Sequence, residues 1–120
     1  MNGNHTVEKI GGTSMTQFDE VMKNIIIGKR KGHELYNRIF IVSAYAGITD
    51  MLLEHKKTGT PGVYAKFANG DKGWKQSLEH VRKTMFELNT GFEKLGLDLE
   101  KANSFVNERI DGIKSCLNDL

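Results

Sequence analysis

Two short segments with strand character, each followed at once by glycines and hydroxyl side chains, constrain the fold of this chain most. Residues 5–10 are typical of a short strand, and residues 38–43 form an almost continuous run of Ile, Phe and Val. Between them, apolar residues recur every three or four positions from Phe18 to Ile25, which is typical of a helix. A strand that is apolar on both faces favours a parallel sheet. The order strand, helix, strand therefore predicts a right-handed βαβ unit.

The residues next to these segments predict how the first helices begin. Ser14 and Gln17 fit a capping box, in which Ser14 is the N-cap and Gln17 reaches back to it. We therefore expect one continuous helix over residues 14–27. After the second strand, a further helix should begin near Thr49, with Thr49 or Asp50 as its cap.

The second half of the chain has the periodicity of helices and no obvious strand. Apolar residues step by three and four over residues 74–88 and again over residues 102–117, and Asp98 could cap the second of these helices. Two parallel strands alone make a poor sheet, because both faces need cover and both edges need partners. We therefore predict a βαβα unit over residues 1–58, a mainly helical segment over residues 63–120, and the opening portion of a larger α/β domain.

Composition excludes several classes of protein. With 120 residues, 38% of them apolar and 27% charged, the chain fits about one globular domain rather than a disordered segment. A net charge of +2 without a dense basic patch argues against a nucleic-acid partner. The longest apolar runs are far shorter than the ~20 residues that span a bilayer, and the first residues lack the features of a signal peptide. The lone Cys116 excludes an internal disulfide. We predict a cytoplasmic protein with no membrane partner.

The segment from Lys9 to Ser14, Lys-Ile-Gly-Gly-Thr-Ser, has the chemistry of a phosphate cradle. Glycines let backbone N–H groups approach an anion closely, and the free N–H groups at a helix start add partial positive charge. Lys9 would add a full charge at the mouth of the same loop. The spacing matches neither a Walker A loop nor a dinucleotide fingerprint. A tight turn before a well-capped helix is therefore the alternative interpretation.

The segment from Ser43 to Asp50, Ser-Ala-Tyr-Ala-Gly-Ile-Thr-Asp, has the same form. Ser43 would leave the carboxyl end of the strand and Gly47 would permit a tight bend. Taken alone, ordinary helix capping explains this segment as well. The carboxyl ends of parallel strands share one edge of a sheet, where open α/β folds bind ligands. We therefore expect both loops to meet there, where two helix starts and Lys9 could hold a polyphosphate and a carboxylate together.

The other reactive side chains indicate no site of their own. The four histidines are scattered without the spacing of metal ligands, so we predict no metal site in the protein. His55 is expected to be a solvated residue at a helix end, and Lys29–Lys31 a solvated cluster of the same kind. Cys116 and Trp74 are expected in the core.

With both motifs in hand, the chain resembles the aspartokinases of the amino-acid-kinase superfamily. Their opening signature, Lys-Phe-Gly-Gly-Thr-Ser, is matched by residues 9–14 with an isoleucine in place of the aromatic residue. Their second signature, a strand running into Ser-Ala-x-x-Gly-x-Thr-Asp/Asn, is matched by residues 43–50. The amino-acid sequence of residues 6–15, together with that of residues 54–59 and 61–64, is similar to the specialised aspartokinases of ectoine-biosynthesis gene clusters.

This resemblance implies a three-layer α/β/α domain of the amino-acid-kinase (carbamate-kinase-like) type. Such enzymes use Mg-ATP, with Mg held mainly by the phosphates, to phosphorylate the side-chain carboxylate of L-aspartate to 4-phospho-L-aspartate. That reaction is the first step of aspartate-family amino-acid biosynthesis, and of ectoine biosynthesis for the specialised members. Lys9 would be the catalytic residue. The phosphates would be lined by Lys9, Gly11, Gly12 and Ser14, and the aspartate by Ser43, Gly47 and Thr49.

Members of this family are longer, with regulatory domains after the kinase domain, and later segments supply the rest of their aspartate and adenine sites. We therefore expect an N-terminal portion that lacks the regulatory domains and is inactive alone, and a full-length protein that forms a homo-oligomer. Two alternatives stay open. One is another amino-acid kinase of the same fold, acting on glutamate, acetylglutamate or carbamate. The other is a non-catalytic module that binds aspartate or phosphate.

Overall fold

The computed structural model describes residues 4–120, which form two compact units. The first unit ends at Ala46 and contains a small sheet with short helices, and the second comprises Gly47–Leu120 and is mainly helical. In chain order the elements are β1 (Thr6–Ile10), α1 (Gly12–Thr16), α2 (Phe18–Val21), a π-helical turn (Met22–Ile27), a 3-10 turn (Gly32–Leu35), β2 (Arg38–Val42), α3 (Ile48–Leu52), α4 (Val63–Ala68), α5 (Trp74–Phe92), a second 3-10 turn (Glu93–Leu95) and α6 (Leu99–Asn118).

The sheet consists of β1 and β2, which run parallel. Thr6 lies opposite Arg38 and Ile10 lies opposite Val42, so the two strands are in register over their full length. Helical segments connect them, because parallel neighbours need a crossover rather than a hairpin. The mixed α/β class with a parallel sheet, predicted from the sequence, is therefore confirmed.

One face of this sheet is apolar and open. Successive side chains of a strand alternate between faces, so Val7, Ile39 and Ile41 share a face with Lys9. Val7 is 67% exposed and Ile41 is 50% exposed, whereas Ile10 on the other face is only 5% exposed. The sequence predicts a buried strand at residues 38–43. In residues 4–120 that strand is half-exposed, because no further layer packs on this face.

The helix after β1 starts earlier than predicted. α1 begins at Gly12, and its N-cap is Gly11 in an extended conformation (φ −75°, ψ 172°). Ser14 therefore lies inside the helix and caps nothing, so the predicted capping box of Ser14 and Gln17 is wrong. The reason is that β1 already ends at Ile10, and the chain turns into the helix directly at the glycines.

This helix is also not continuous, so the single helix predicted over residues 14–27 is wrong. Gln17 leaves the helical region (φ −107°, ψ 41°) and separates α1 from α2. The last part winds as a π-helical turn, in which the Gly28 N–H donates to the Lys23 carbonyl oxygen at 2.9 Å. Gly28 ends it with φ +53°, a conformation that favours glycine. The spacing of the apolar residues therefore predicted that this segment is helical, but it did not predict where the helix is interrupted.

A bidentate ion pair joins the two strands. Arg38 Nε and Nη2 donate to the two carboxylate oxygens of Glu8 at 2.6 and 2.5 Å. The same guanidinium donates to the carbonyl oxygens of Ile25 and Ile26 at the end of the π-helical turn. The Arg38 side chain is only 5% exposed. Arg38 therefore fastens the start of β2 both to β1 and to the connecting helical segment.

We expect the stability of the first unit to fall as the pH is lowered from about 4.5 to about 2. The Arg38 guanidinium lowers the pKa of Glu8 from 4.5 to about 2, so the ionised carboxylate contributes stability above pH 4.5 and loses it as the pH approaches 2. An NMR titration of the Glu8 side-chain carboxyl carbon checks the value. The variant Glu8→Gln should unfold more easily than the parent chain at pH 7 and about equally at pH 2. A Glu8 midpoint near 4.5 would contradict the prediction.

The core of the second unit lies on its two long helices. Leu78 and Val81 on α5 are fully buried, and Val106 and Ile110 on α6 are nearly so. Arg82 on α5 adds polar links, with hydrogen bonds to Asn107 and Asp111 of α6. These helices are the ones predicted over residues 74–88 and 102–117, because a strong apolar stripe fixes which helix face is buried. No helix within residues 4–120 has both the length and the apolar character needed to cross a bilayer.

Two expectations for individual side chains of α6 have opposite outcomes. Asp98 is the N-cap, and its Oδ1 accepts a hydrogen bond from the Lys101 backbone N–H at 3.1 Å, as predicted. Cys116, expected in the core, is exposed. It lies beside rather than on the buried stripe of Val106 and Ile110, so the expectation for the cysteine is wrong. Trp74 is buried as predicted, with its ring edge-on to Phe67.

Candidate functional site

Within residues 4–120, the ammonium group of Lys9 has no bonding partner. Lys9 is the penultimate residue of β1, with Ile10 between it and the glycine turn, and its side chain is exposed. It forms no hydrogen bond and no ion pair with any residue in the range 4–120. A lysine that is neither paired nor buried is available to bind an anionic ligand. The β-strand thus presents one unpaired cation at its carboxyl end, where the sequence predicts a phosphate site.

Glycines bring the loops after the two strands into contact. A Cβ atom on Gly12 would lie 3.3 Å from the Ala44 carbonyl oxygen and 3.7 Å from the Ala46 Cα atom. A side chain at position 12 would therefore press the loop after β2 away from α1. Gly11 has open space around its Cβ position and serves as the N-cap. In this unit, Gly12 allows α1 and the loop after β2 to approach each other closely, whereas Gly11 forms the turn between β1 and α1.

Thr16 holds the same two loops together. Its Oγ1 accepts a hydrogen bond from the Ala46 backbone N–H at 2.9 Å and donates one to the Gly12 carbonyl oxygen at 3.2 Å. Thr16 is not among the site residues predicted from the sequence. A hydroxyl residue four positions after Gly12, on the same side of the helix, is the signal that could have pointed to it. The loop after β2 is thus bound to α1 by Gly12 and Thr16 together.

Five of the predicted site residues lie in the first unit, at or just beyond the carboxyl end of the sheet. Ser14 is half-buried inside α1, and Ser43 is exposed directly after β2. The two loops therefore leave the same edge of the sheet, as expected for parallel strands. The residues in this group are Lys9, Gly11, Gly12, Ser14 and Ser43.

The other two predicted site residues lie in the second unit. Gly47 is the N-cap of α3 in the left-handed region, with φ +83°, which supports the bend expected there. Thr49 is exposed in the first turn of α3. The sequence predicts that Thr49 or Asp50 caps this helix, and that prediction is wrong. Gly47 takes the cap position instead, because its left-handed backbone turns the chain two residues earlier.

The group in the first unit can bind an anion by a combination of charge and backbone donors. Lys9 supplies a full positive charge, and the first N–H groups of α1 point out of a helix that begins at the glycines. α1 is only five residues long, so its dipole contributes less than that of a long helix and Lys9 carries most of the charge. Within residues 4–120, no three His, Cys, Asp or Glu side chains are grouped so as to hold a metal ion.

Comparison with known proteins supports a relationship to one class of enzyme. The chain is 52% identical over 118 residues to a protein of Stutzerimonas stutzeri (strain A1501), the Aspartate kinase Ask_Ect. The match covers 97% of this chain and 25% of that protein, so the chain spans about a quarter of the relative's length. No protein-family model matches the chain, and no solved structure matches it significantly. The resemblance to the aspartokinases is therefore confirmed, and the coverage is consistent with an N-terminal portion.

Proposed function

We propose that this chain is part of an aspartokinase and carries the phosphate-binding side of its active site. The observation that carries the proposal is the Lys9 ammonium, which pairs with nothing within residues 4–120. Lys9 lies two residues before Gly11, the first residue of the glycine turn that meets the loop after β2. The 52% identity to an aspartate kinase adds independent support. In this proposal L-aspartate and Mg-ATP are the substrates, and 4-phospho-L-aspartate and ADP are the products.

In this reaction the protein mainly compensates negative charge and takes part in no covalent bond with the substrates. A side-chain carboxylate oxygen of aspartate forms a bond to the γ-phosphorus while the bond from that phosphorus to the β,γ-bridging oxygen breaks. Two anions must therefore approach each other, and negative charge spreads over the equatorial oxygens. Lys9 would lie against those oxygens and lower the repulsion. Gly11 and Gly12 would offer backbone N–H groups, and Ser14 a hydroxyl, to the same phosphates.

On the acceptor side we assign Ser43, Gly47 and Thr49 to the aspartate. Ser43 and Thr49 are exposed hydroxyl residues, and each can donate a hydrogen bond to a carboxylate. Gly47, with φ +83°, allows the bend that precedes α3. These roles follow from the resemblance to the aspartokinase signature at residues 43–50.

The finer assignments also belong to this proposal. The open apolar face of the sheet, with Val7 and Ile39, supports a larger three-layer domain in which further chain covers that face. The resemblance of residues 54–59 and 61–64 to the aspartokinases of ectoine-biosynthesis gene clusters supports a specialised enzyme of ectoine biosynthesis. We further infer that the whole protein forms a homo-oligomer.

A chimera provides the test. In it, this chain replaces the matching quarter of the Stutzerimonas stutzeri aspartate kinase, and acyl phosphates are trapped with hydroxylamine in the presence of Mg-ATP. We expect hydroxamate from L-aspartate and none from glutamate, acetylglutamate or carbamate. Product from another acceptor instead would keep the kinase class and overturn the substrate.

The 120-residue chain alone is the companion experiment. We expect no hydroxamate from it, since the groups that complete the site lie outside it. The non-catalytic binding module is the second candidate, and the open sheet face favours it because such a face suits a partner subunit as well. A folded chimera that gives no product with any acceptor would favour that candidate.

A further inference from the structure

The second unit contains a cavity of about 550 Å³ that the proposed phosphate site does not use. Its wall is formed by α3, the loop that follows it, α4 and the first turns of α5. A volume of this size lies within the range of small-molecule sites. Its lining includes one carboxylate, one ammonium group and two apolar side chains, contributed by Asp50, Lys66, Met51 and Pro61.

Lys66 is the cation of this cavity. Its Nζ donates a hydrogen bond to Ser77 Oγ at 2.8 Å, and among residues 4–120 no carboxylate pairs with it. An ammonium group has three donors, and Ser77 takes one. Ser77 accepts from Lys66, so its own hydroxyl hydrogen is left for another acceptor. Together the two side chains offer three donors to a carboxylate in the cavity.

Asp50 is the anion of the same cavity and has only a weak partner. The nearest cationic or imidazole nitrogen to its carboxylate is His55 Nε2, at 3.9 Å, which is longer than a hydrogen bond. His55 Nδ1 accepts from the backbone N–H groups of Lys57 and Thr58, so the neutral ring carries its hydrogen on Nε2. The loop thus holds His55 in place, while its side chain stays 44% exposed, as predicted for a solvated residue near a helix end. Asp50 and Lys66 form no ion pair with each other.

Within residues 4–120, this cavity combines a cation that pairs with no carboxylate, a weakly paired anion and apolar wall residues. That combination matches a particular class of ligand. We propose that it binds a neutral α-amino acid with an apolar side chain. The α-carboxylate lies against Lys66 and Ser77, the α-ammonium lies against Asp50, and the side chain lies against Met51 and Pro61. Gly47, which we assign to the aspartate, also lines this cavity, so the two proposed sites adjoin each other. The charged residues Lys66 and Asp50 have no part in the proposed kinase site, and the ligand differs from aspartate in net charge.

The test uses the unmodified 120-residue chain and ligands that each lack one charge. Amide resonances are followed by NMR during titration with L-leucine, 4-methylpentanoate (no ammonium), 3-methylbutylamine (no carboxylate) and L-aspartate. We expect L-leucine to shift the amides of Gly62, Gly73 and Ser77, and each single-charge analogue to bind about tenfold or more weakly. Absent shifts with L-leucine would overturn the proposal. Equal binding of either analogue, or tighter binding of L-aspartate than L-leucine, would overturn it too.

Two variants assign the charges to the residues. Lys66→Met should weaken L-leucine binding about tenfold or more, whereas Lys83→Met, at an exposed position of α5, should leave it unchanged. Asp50→Asn should weaken L-leucine but not 4-methylpentanoate, because only leucine carries the ammonium group. If Lys66→Met and Lys83→Met behave alike, Lys66 does not hold the carboxylate and the proposal fails. The analogue series stands without the variants, so a variant that does not fold leaves the test intact.

Discussion

Replacing Lys9 with methionine in the chimeric kinase is expected to lower kcat for aspartyl hydroxamate about a hundredfold to a thousandfold. The methionine is an unbranched side chain one atom shorter than lysine and carries no charge, so the equatorial oxygens lose a preorganised donor. Because Lys9 is exposed and unpaired in residues 4–120, the substitution breaks no contact of the fold. The thermal stability of the chimera should therefore stay the same. The measurements are steady-state kinetics at saturating Mg-ATP and a melting curve.

The matched control for this substitution is Lys23→Met. Lys23 is also exposed and lies in the same unit, but in the π-helical turn, away from the glycine loop. We expect kcat within about twofold of the parent chimera, since a distant surface charge is screened by salt. If the two variants lose activity equally, the loss reflects general charge and not a phosphate contact. A Lys9→Met chimera with unchanged kcat would remove Lys9 from the proposed mechanism.

The second large effect concerns Gly62, which sits against the end of α3. A Cβ atom on Gly62 would lie 2.4, 2.7 and 2.8 Å from the carbonyl oxygens of Met51, Leu53 and Asp50. The Gly62 N–H also donates to the Leu53 carbonyl oxygen at 3.0 Å, so the loop cannot move away without losing that hydrogen bond. We expect Gly62→Ala to lower the free energy of unfolding of the second unit by about 3 kcal/mol.

Urea unfolding followed by the fluorescence of Trp74 measures this change. Trp74 is the only tryptophan of the chain and is buried in the second unit, so it reports on that unit. The control is Gly91→Ala in α5, where nothing lies within 4 Å of the Cβ position. Gly91 is the penultimate residue of α5, so an alanine there should leave the stability of the unit unchanged or raise it slightly. Midpoints that shift in the same direction for both variants would contradict the packing argument.

Local chemistry explains what could be predicted from the sequence. The positions of the apolar residues predicted the two parallel strands and both long helices. This works because the side of a strand or helix that packs against the rest of the protein is apolar. Asp98 could be assigned as a cap from its position alone, since its side chain bonds a backbone N–H only three residues away.

Contacts between distant segments explain what could not be predicted. Whether Ser14 or Gly11 caps α1 depends on where β1 stops, and that follows from its pairing with β2. Thr16 binds the loop after β2 through a hydrogen bond that spans 30 positions of sequence. Cys116 is apolar enough for a core but lies beside the buried stripe of α6.

The sequence by itself determined the class of fold and the family resemblance, because both rest on residues close together in the chain. The signature at residues 9–14 and its partner at residues 43–50 are of this kind. Only the tertiary structure decided that Lys9 is unpaired, that Gly62 has no room for a side chain, and that Lys66 and Asp50 line one cavity. Those properties depend on which atoms of segments distant in sequence come within a few ångströms of each other. The spacing of residues along the chain does not determine such contacts.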